Sequence, residues 1–292
     1  VSASSAARGL VRTARPRQWV KNVLVVAGPL AAGNLFSPDP ARAVLVAFVS
    51  FCIAASSVYL INDALDVEAD RAHPTKRNRP IAAGLVSVRS AYVTAAALIV
   101  VVLAATFALG YAELTLLLAV YIALQLAYCI FLKHQPVLDL AVVSSGFLLR
   151  AVAGGVAADV ELSPWFLLVA AFGSLFMVAG KRYSEVHVVG EGNATTRPSL
   201  ELYSQSYLRF VWSIAAAATV VFYSLWAVGG ETVPTTLAEL SIVPFVLAML
   251  RYAVDIDRGA AGEPEAIVLG DRVLQFLGVL WLVVFAAGVL TR

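Results

Sequence analysis

Long apolar stretches, each close to the length of a membrane crossing, recur along this chain and are separated by short polar or charged segments. They fall at residues 20–36, 41–61, 90–110, 112–132, 137–157, 163–180, 207–228, 237–254 and 273–291. An α-helix of about 20 apolar residues crosses the roughly 30 Å hydrocarbon layer of a bilayer, so the pattern predicts about nine transmembrane helices. Barrel strands would be short and would alternate polar with apolar positions, which these Leu-, Ala- and Val-rich runs do not. The expected fold is therefore all-α, a polytopic membrane helical bundle. Residues 1–292 are expected to form a single domain, with the Ser/Ala-rich residues 1–14 as a flexible tail.

Composition agrees with that pattern. Hydrophobic residues make up 60% of the chain and charged residues 14%, against roughly 25% charged in soluble domains. A soluble domain is excluded, and an integral membrane protein is expected. The net charge of +2 conceals a segregation by side. Basic residues collect before the first span (Arg8, Arg12, Arg15, Arg17, Lys21) and after the second (Arg71, Lys76, Arg77, Arg79, Arg89). They recur after the fourth (Lys133), the sixth (Lys181, Arg182, Arg197, Arg209) and the eighth (Arg251, Arg258, Arg272), and only Arg42 and Arg292 fall on the other side. Cytoplasmic loops carry the Lys/Arg excess. The N-terminus and the loops after the even-numbered spans are thus expected on the cytoplasmic side of the plasma membrane. Cys52 and Cys129 fall inside spans and read as small packing residues. The sequon Asn193-Ala194-Thr195 falls in a cytoplasmic loop and is discarded.

The chemistry is concentrated at the end of the second span. If its helix continues to Asp70, then Asn62, Asp66 and Asp70 recur every four residues and Asp63 lies one step round, all within about 100° of arc. Glu68 points away, so the acids form a face. Three carboxylates and an amide carbonyl suit Mg²⁺, which shares its remaining positions with water and substrate phosphates. Arg71, Lys76, Arg77 and Arg79 follow and are suited to the outer phosphate oxygens. The simpler alternative is a solvated helix end whose acids neutralise these bases, but Asn62 and Asp63 directly follow apolar Val58-Tyr59-Leu60-Ile61, where an unpartnered charge costs several kcal/mol.

Further polar residues join this candidate site. Lys181, Arg182, Tyr183 and Glu185 close the sixth span, as phosphate ligands or as local helix-end pairs. Arg17, Lys21 and Asn22 enter the first span, as substrate contacts or as an interfacial anchor. Lys133, next to His134 and before Asp139, is a headgroup ligand or one half of a local ion pair. Arg150 lies within the fifth span and must face the bundle interior, either paired to a buried acid or holding phosphate.

Asn62-Asp63-x-x-Asp66-x-x-x-Asp70, the basic run ending at Arg79-Pro80, the Arg15-Pro16-x-Gln18-Trp19-x-Lys21-Asn22 entry and the number of spans together resemble the UbiA superfamily of intramembrane prenyltransferases over essentially the whole chain. The resemblance implies a UbiA-like helical bundle with a lipid-open cavity, cytoplasmic cap loops, and Mg²⁺ on the first Asp motif. Most members carry a second Asp-x-x-x-Asp motif after the sixth span, where this chain has Gly180-Lys181-Arg182-Tyr183-Ser184-Glu185. Acid is largely replaced by base. In this the chain is similar to a branch of the superfamily that transfers phosphoribose. That implies 5-phospho-α-D-ribose 1-diphosphate (phosphoribosyl diphosphate) as donor and decaprenyl (polyprenyl) phosphate as acceptor, with the product lipid feeding arabinan cell-wall precursors. The catalytic residues implied are Asp63, Asp66 and Asp70; the partners are these two substrates and the membrane lipid, with no nucleic acid and with homo-oligomerisation left open. Two other readings are an aromatic prenyltransferase, disfavoured by the missing second acidic motif, and a secondary transporter, disfavoured because the acids lie at one surface and not at the bilayer midplane.

Overall fold

The computed structural model of the chain describes residues 3–35, 37–190, 202–229 and 236–290. The sequon at 193–195, Arg197 and Arg292 lie outside the described residues. Among the described residues every regular element is a helix. Apart from two three-residue 3₁₀ turns, Lys76–Asn78 and Leu132–His134, these are in chain order α1 (Ala3–Thr13), a 3₁₀ segment (Pro16–Val26), α2 (Ala27–Ala31), α3 (Pro38–Leu65), α4 (Val67–Ala72), α5 (Val88–Ala108), α6 (Ala112–Ile130) and α7 (Leu138–Ala157). They continue as α8 (Pro164–Gly190), α9 (Gln205–Gly229), α10 (Thr236–Leu240), α11 (Ile242–Asp257), α12 (Pro264–Gly270) and α13 (Arg272–Leu290).

Eight helical stretches among the described residues are long and apolar enough to cross a membrane, and the protein is an integral membrane protein. The expected first span, 20–36, is the exception, being built from the 3₁₀ segment and the five-residue α2. Large apolar side chains stand outward on the spans, among them Val93, Val100 and Phe107 of α5 and Leu116 of α6. Outward apolar residues spread over whole helices mark a protein whose surrounding solvent is lipid.

The chain divides into two compact units. The first comprises Val1–Ala27, Phe36–Lys133 and Leu149–Val160. Its centre is α3, of whose apolar stretch 61% is buried, against 22% for α5. Pro38 in the first turn of α3 and Asp39 beside it satisfy the preferences of a helix N-terminus. Ser87 caps α5 by accepting from the Ser90 backbone N–H at 3.0 Å. Leu60, Ala64, Ile81, Val86, Ala91 and Ala95 form a core under the end of α3, and Leu10 of α1 packs on it. Within the stretch expected as a tail, Ala3–Thr13 form α1, where a side chain at Gly9 would come within 2.6 Å of Val86 Cγ2 and buried Thr13 donates to the Gly9 carbonyl.

The second unit comprises Gly28–Leu35, His134–Leu148 and Glu161–Arg292. An aromatic core around Phe176, Tyr183 and Tyr252 joins α8, α9 and α11. A second core stacks Tyr223 and Trp226 of α9 with Phe245 of α11 and Phe285 of α13. Asp271 caps α13, accepting from the Val273 N–H at 2.8 Å and the Leu274 N–H at 3.2 Å. These bonds and that of Arg251 Nε, 2.6 Å away, hold its carboxyl below the usual carboxylate range, the guanidinium contributing most.

Candidate active site

Helix α3 ends at Leu65 and α4 begins at Val67, with Asp66 between them at φ −91° and ψ 10°. This lies in the bridge region, which is sparsely but genuinely allowed. The Asp66 N–H still bonds the Asn62 carbonyl at 3.0 Å, and the Asp70 N–H the Asp66 carbonyl at 2.8 Å. The four-residue register thus survives the break, as helical continuation to Asp70 requires. Asp63 and Asp70 are buried, and Asn62 and Asp66 are half-buried.

Each of the three acids has a basic partner. Asp63 Oδ1 accepts from Arg15 Nη2 at 2.6 Å and from Arg79 Nη1 at 3.1 Å. The same Arg79 nitrogen donates to Asp70 Oδ2 at 2.7 Å, and Lys133 Nζ lies 2.5 Å from Asp66 Oδ1. A carboxylate as buried as Asp63, 2% exposed, is tenable only with such partners. By contrast Arg71 pairs with Glu68 at the exposed surface, where the gain is about 1 kcal/mol or less. The loop between α4 and α5 is shaped by His73, whose Nδ1 accepts from the backbone N–H groups of Thr75 and Lys76. A cavity of about 250 Å³ opens above Asp63, lined also by Arg12, Arg15, Lys76 and Arg79.

Arg15 reaches Asp63 from an unusual backbone, with φ 52° and ψ 61°, in the left-handed region that a non-glycine residue adopts at a cost. Its surroundings hold it there: its guanidinium lies 4.9 Å from the centre of the Tyr59 ring, and Ser56 Oγ donates to the Ala14 carbonyl while accepting from Trp19 Nε1. Deeper in the unit, Arg150 Nε donates to Asn22 Oδ1 at 2.7 Å and Nη2 to the Tyr121 hydroxyl at 2.9 Å. Asn22 in turn donates to Cys52 Sγ, and the guanidinium lies over the rings of Phe51 and Tyr121. Arg150 and Asn22 thus tie the 3₁₀ segment to α6 and α7. Arg17 and Arg77 are exposed, and Lys21 and Lys76 half-buried.

The expected cluster at the end of the sixth span is engaged otherwise. Arg182, 3% exposed, donates from Nε to Asp139 Oδ2 at 3.1 Å and from Nη1 to Glu185 Oε2 at 2.8 Å. Asp139 is fully buried and also accepts from the Tyr203 hydroxyl, whose pKa is raised by burial and then by this carboxylate. Tyr183 lies in the aromatic core with its hydroxyl bonded to Arg209 Nη2. Arg182, Tyr183 and Glu185 are thus bonded within this unit, and Lys181 is half-buried. Arg12, Tyr121 and Tyr203 had no signal of their own in the sequence, since their roles depend on tertiary neighbours.

The acids and amide on one face are hard oxygen donors and suit a divalent cation in kind. Among the described residues no three acids converge as a ready-made metal group, because each carboxylate is turned to a base.

This all-helical membrane protein is similar to known proteins over most of its length. The chain belongs to the UbiA prenyltransferase family, whose match covers residues 23–269. It is 56% identical to a decaprenyl-phosphate phosphoribosyltransferase of Mycolicibacterium smegmatis, the match covering 96% of this chain and 92% of that one. It is 53% identical to a protein of the same description from Corynebacterium glutamicum, over 94% and 85% of the two chains. Among solved structures, a UbiA homologue from Archaeoglobus fulgidus bound to DMAPP and Mg²⁺ has the same fold, with a TM-score of 0.72, 18% identity and coverage of 97% and 99%.

Proposed function

We propose that this protein transfers the 5-phosphoribosyl group of 5-phospho-α-D-ribose 1-diphosphate to decaprenyl phosphate at the cytoplasmic face of the membrane, releasing diphosphate and supplying a lipid for arabinan precursors. The main support is the near-full-length identity with relatives of that description, together with a cavity that sets Arg12, Arg15, Lys76 and Arg79 against the single carboxylate of Asp63. Such a lining favours a polyanion carrying more charge than one diphosphate.

Asp63, Asp66 and Asp70, with Asn62, would hold Mg²⁺, which would supply positive charge against that developing on the leaving diphosphate. Arg15, Arg79 and Lys76 bind the donor's phosphate oxygens, and Lys133, beside Asp66, is placed for the acceptor phosphate. The bond between ribose C1 and the diphosphate oxygen breaks with its electrons leaving on diphosphate, and C1 becomes oxocarbenium-like. A lipid phosphate oxygen then forms the new bond to C1. With a second pKa of about 6, that phosphate is already ionised near neutrality and needs no general base. This suits a site with no histidine among the cavity's lining residues.

The test is an assay on purified protein with Mg²⁺, supplied first with phosphoribosyl diphosphate and decaprenyl phosphate, then with a polyprenyl diphosphate and an aromatic acid. A new phosphoribosyl lipid in the first mixture alone is the expected result. A prenylated aromatic product, or no product in either mixture, rejects the reading.

A further inference from the structure

The cations around the cavity are not equivalent. Arg15 and Arg79 already hold Asp63 and Asp70, at the buried end. Arg12 lines the same cavity from the exposed end, and its guanidinium makes no ion pair or hydrogen bond among the described residues. Its position is nonetheless fixed. It sits in the last turn of α1, a helix anchored by the close approach of Gly9 to Val86, by Leu10 in the core and by buried Thr13. A cation held at the rim of a cavity that already carries three others is repelled by them until a polyanion enters.

The proposed donor is such a polyanion and carries its charge at two ends, a diphosphate on C1 and a phosphomonoester on C5. If the diphosphate lies at the buried, carboxylate end, the monoester is left toward the rim. We infer that Arg12 is a specificity-determining residue that binds the donor's C5 phosphate and so selects phosphoribosyl diphosphate over ribosyl 1-diphosphate, which lacks that group. The inference rests on the activity proposed above. Guanidinium and phosphomonoester match as a bidentate pair, which an ammonium cannot reproduce.

The experiment compares the two donors with the full-length protein, its Arg12→Ala variant and its Arg12→Lys variant, each with decaprenyl phosphate and Mg²⁺ and each checked for an unchanged melting temperature. In Arg12→Ala the ratio of kcat/KM between phosphorylated and unphosphorylated donor is expected to fall at least tenfold, carried by KM for the phosphorylated donor, and in Arg12→Lys to recover only in part. An equal loss with both donors, or an unchanged ratio, overturns the assignment while the activity stands. A wild-type protein that uses neither donor overturns both.

Discussion

Replacing Arg182 separates a structural role from a ligand role. The side chain is 3% exposed and bridges the fully buried Asp139 to Glu185. Arg182→Ala leaves Asp139 with the Tyr203 hydroxyl and the protein interior but without its counter-charge. Breaking a buried ion pair from one side costs about 3–5 kcal/mol, most of it the desolvation of the abandoned partner. That corresponds to roughly a hundred- to several-thousandfold loss in the folding equilibrium. The assay is thermal unfolding of purified protein in detergent, paired with donor kinetics on the folded fraction. Arg182→Ala should melt far lower while KM for phosphoribosyl diphosphate changes less than twofold. The double variant Arg182→Met with Asp139→Leu, which removes both charges, should regain most of the loss. A single variant that melts like the wild type but binds donor tenfold more weakly would refute this reasoning and restore the phosphate-ligand role.

Asp63→Asn and Asp70→Asn should each lower turnover at least a hundredfold, and chelation of divalent cations should abolish activity until Mg²⁺ is returned; activity persisting after chelation would remove the metal from the site. Arg150→Lys should cost about 2 kcal/mol or more of stability, because an ammonium cannot serve Asn22 and Tyr121 while lying over two rings; melting curves provide the check. Gly180→Ala should destabilise by about 1–3 kcal/mol, since the added carbon would lie 2.4 Å from Ile256 Cδ1, and Ile256→Val should relieve part of this in the double variant. Asp271, held below its usual pKa mainly by Arg251, stabilises fully above about pH 4 and loses that contribution as the pH falls through its lowered folded value. Asp271→Asn should accordingly lower the melting temperature at pH 6–8, where the carboxylate contributes fully, and converge with the wild type in acid, flattening the acid limb of the profile.

The acidic face was legible because its information is local. Four-residue spacing depends only on helical periodicity, and it survives the break at Asp66 because the backbone bonds on either side persist. The spans were legible for the same reason, each being a property of its own composition. What the sequence left open is the choice among partners. Arg15 and Arg79 were both available as bases, but their convergence on Asp63 depends on a left-handed residue after α1 and on the loop before α5. Arg182 and Asp139 lie 43 residues apart, and nothing in either segment announces the pair. The docking of α1 depends on Gly9 and Leu10 meeting a surface formed by distant residues, which Ser- and Ala-rich composition does not announce. The first expected span winds as a 3₁₀ segment followed by a short α-helix, a distinction to which apolar composition is blind.

The helical break at Asp66 carries one more implication, for how this protein tolerates change. Arg79 grips Asp63 on one side of the interruption and Asp70 on the other, so the two acids must keep their angular phase. Adding or deleting one residue between them would swing Asp70 by about 100° and pull the clasp apart. Substitutions on the outer flank of α4, around exposed Glu68, carry no such penalty. The chain is thus free to vary its spelling here but not its length.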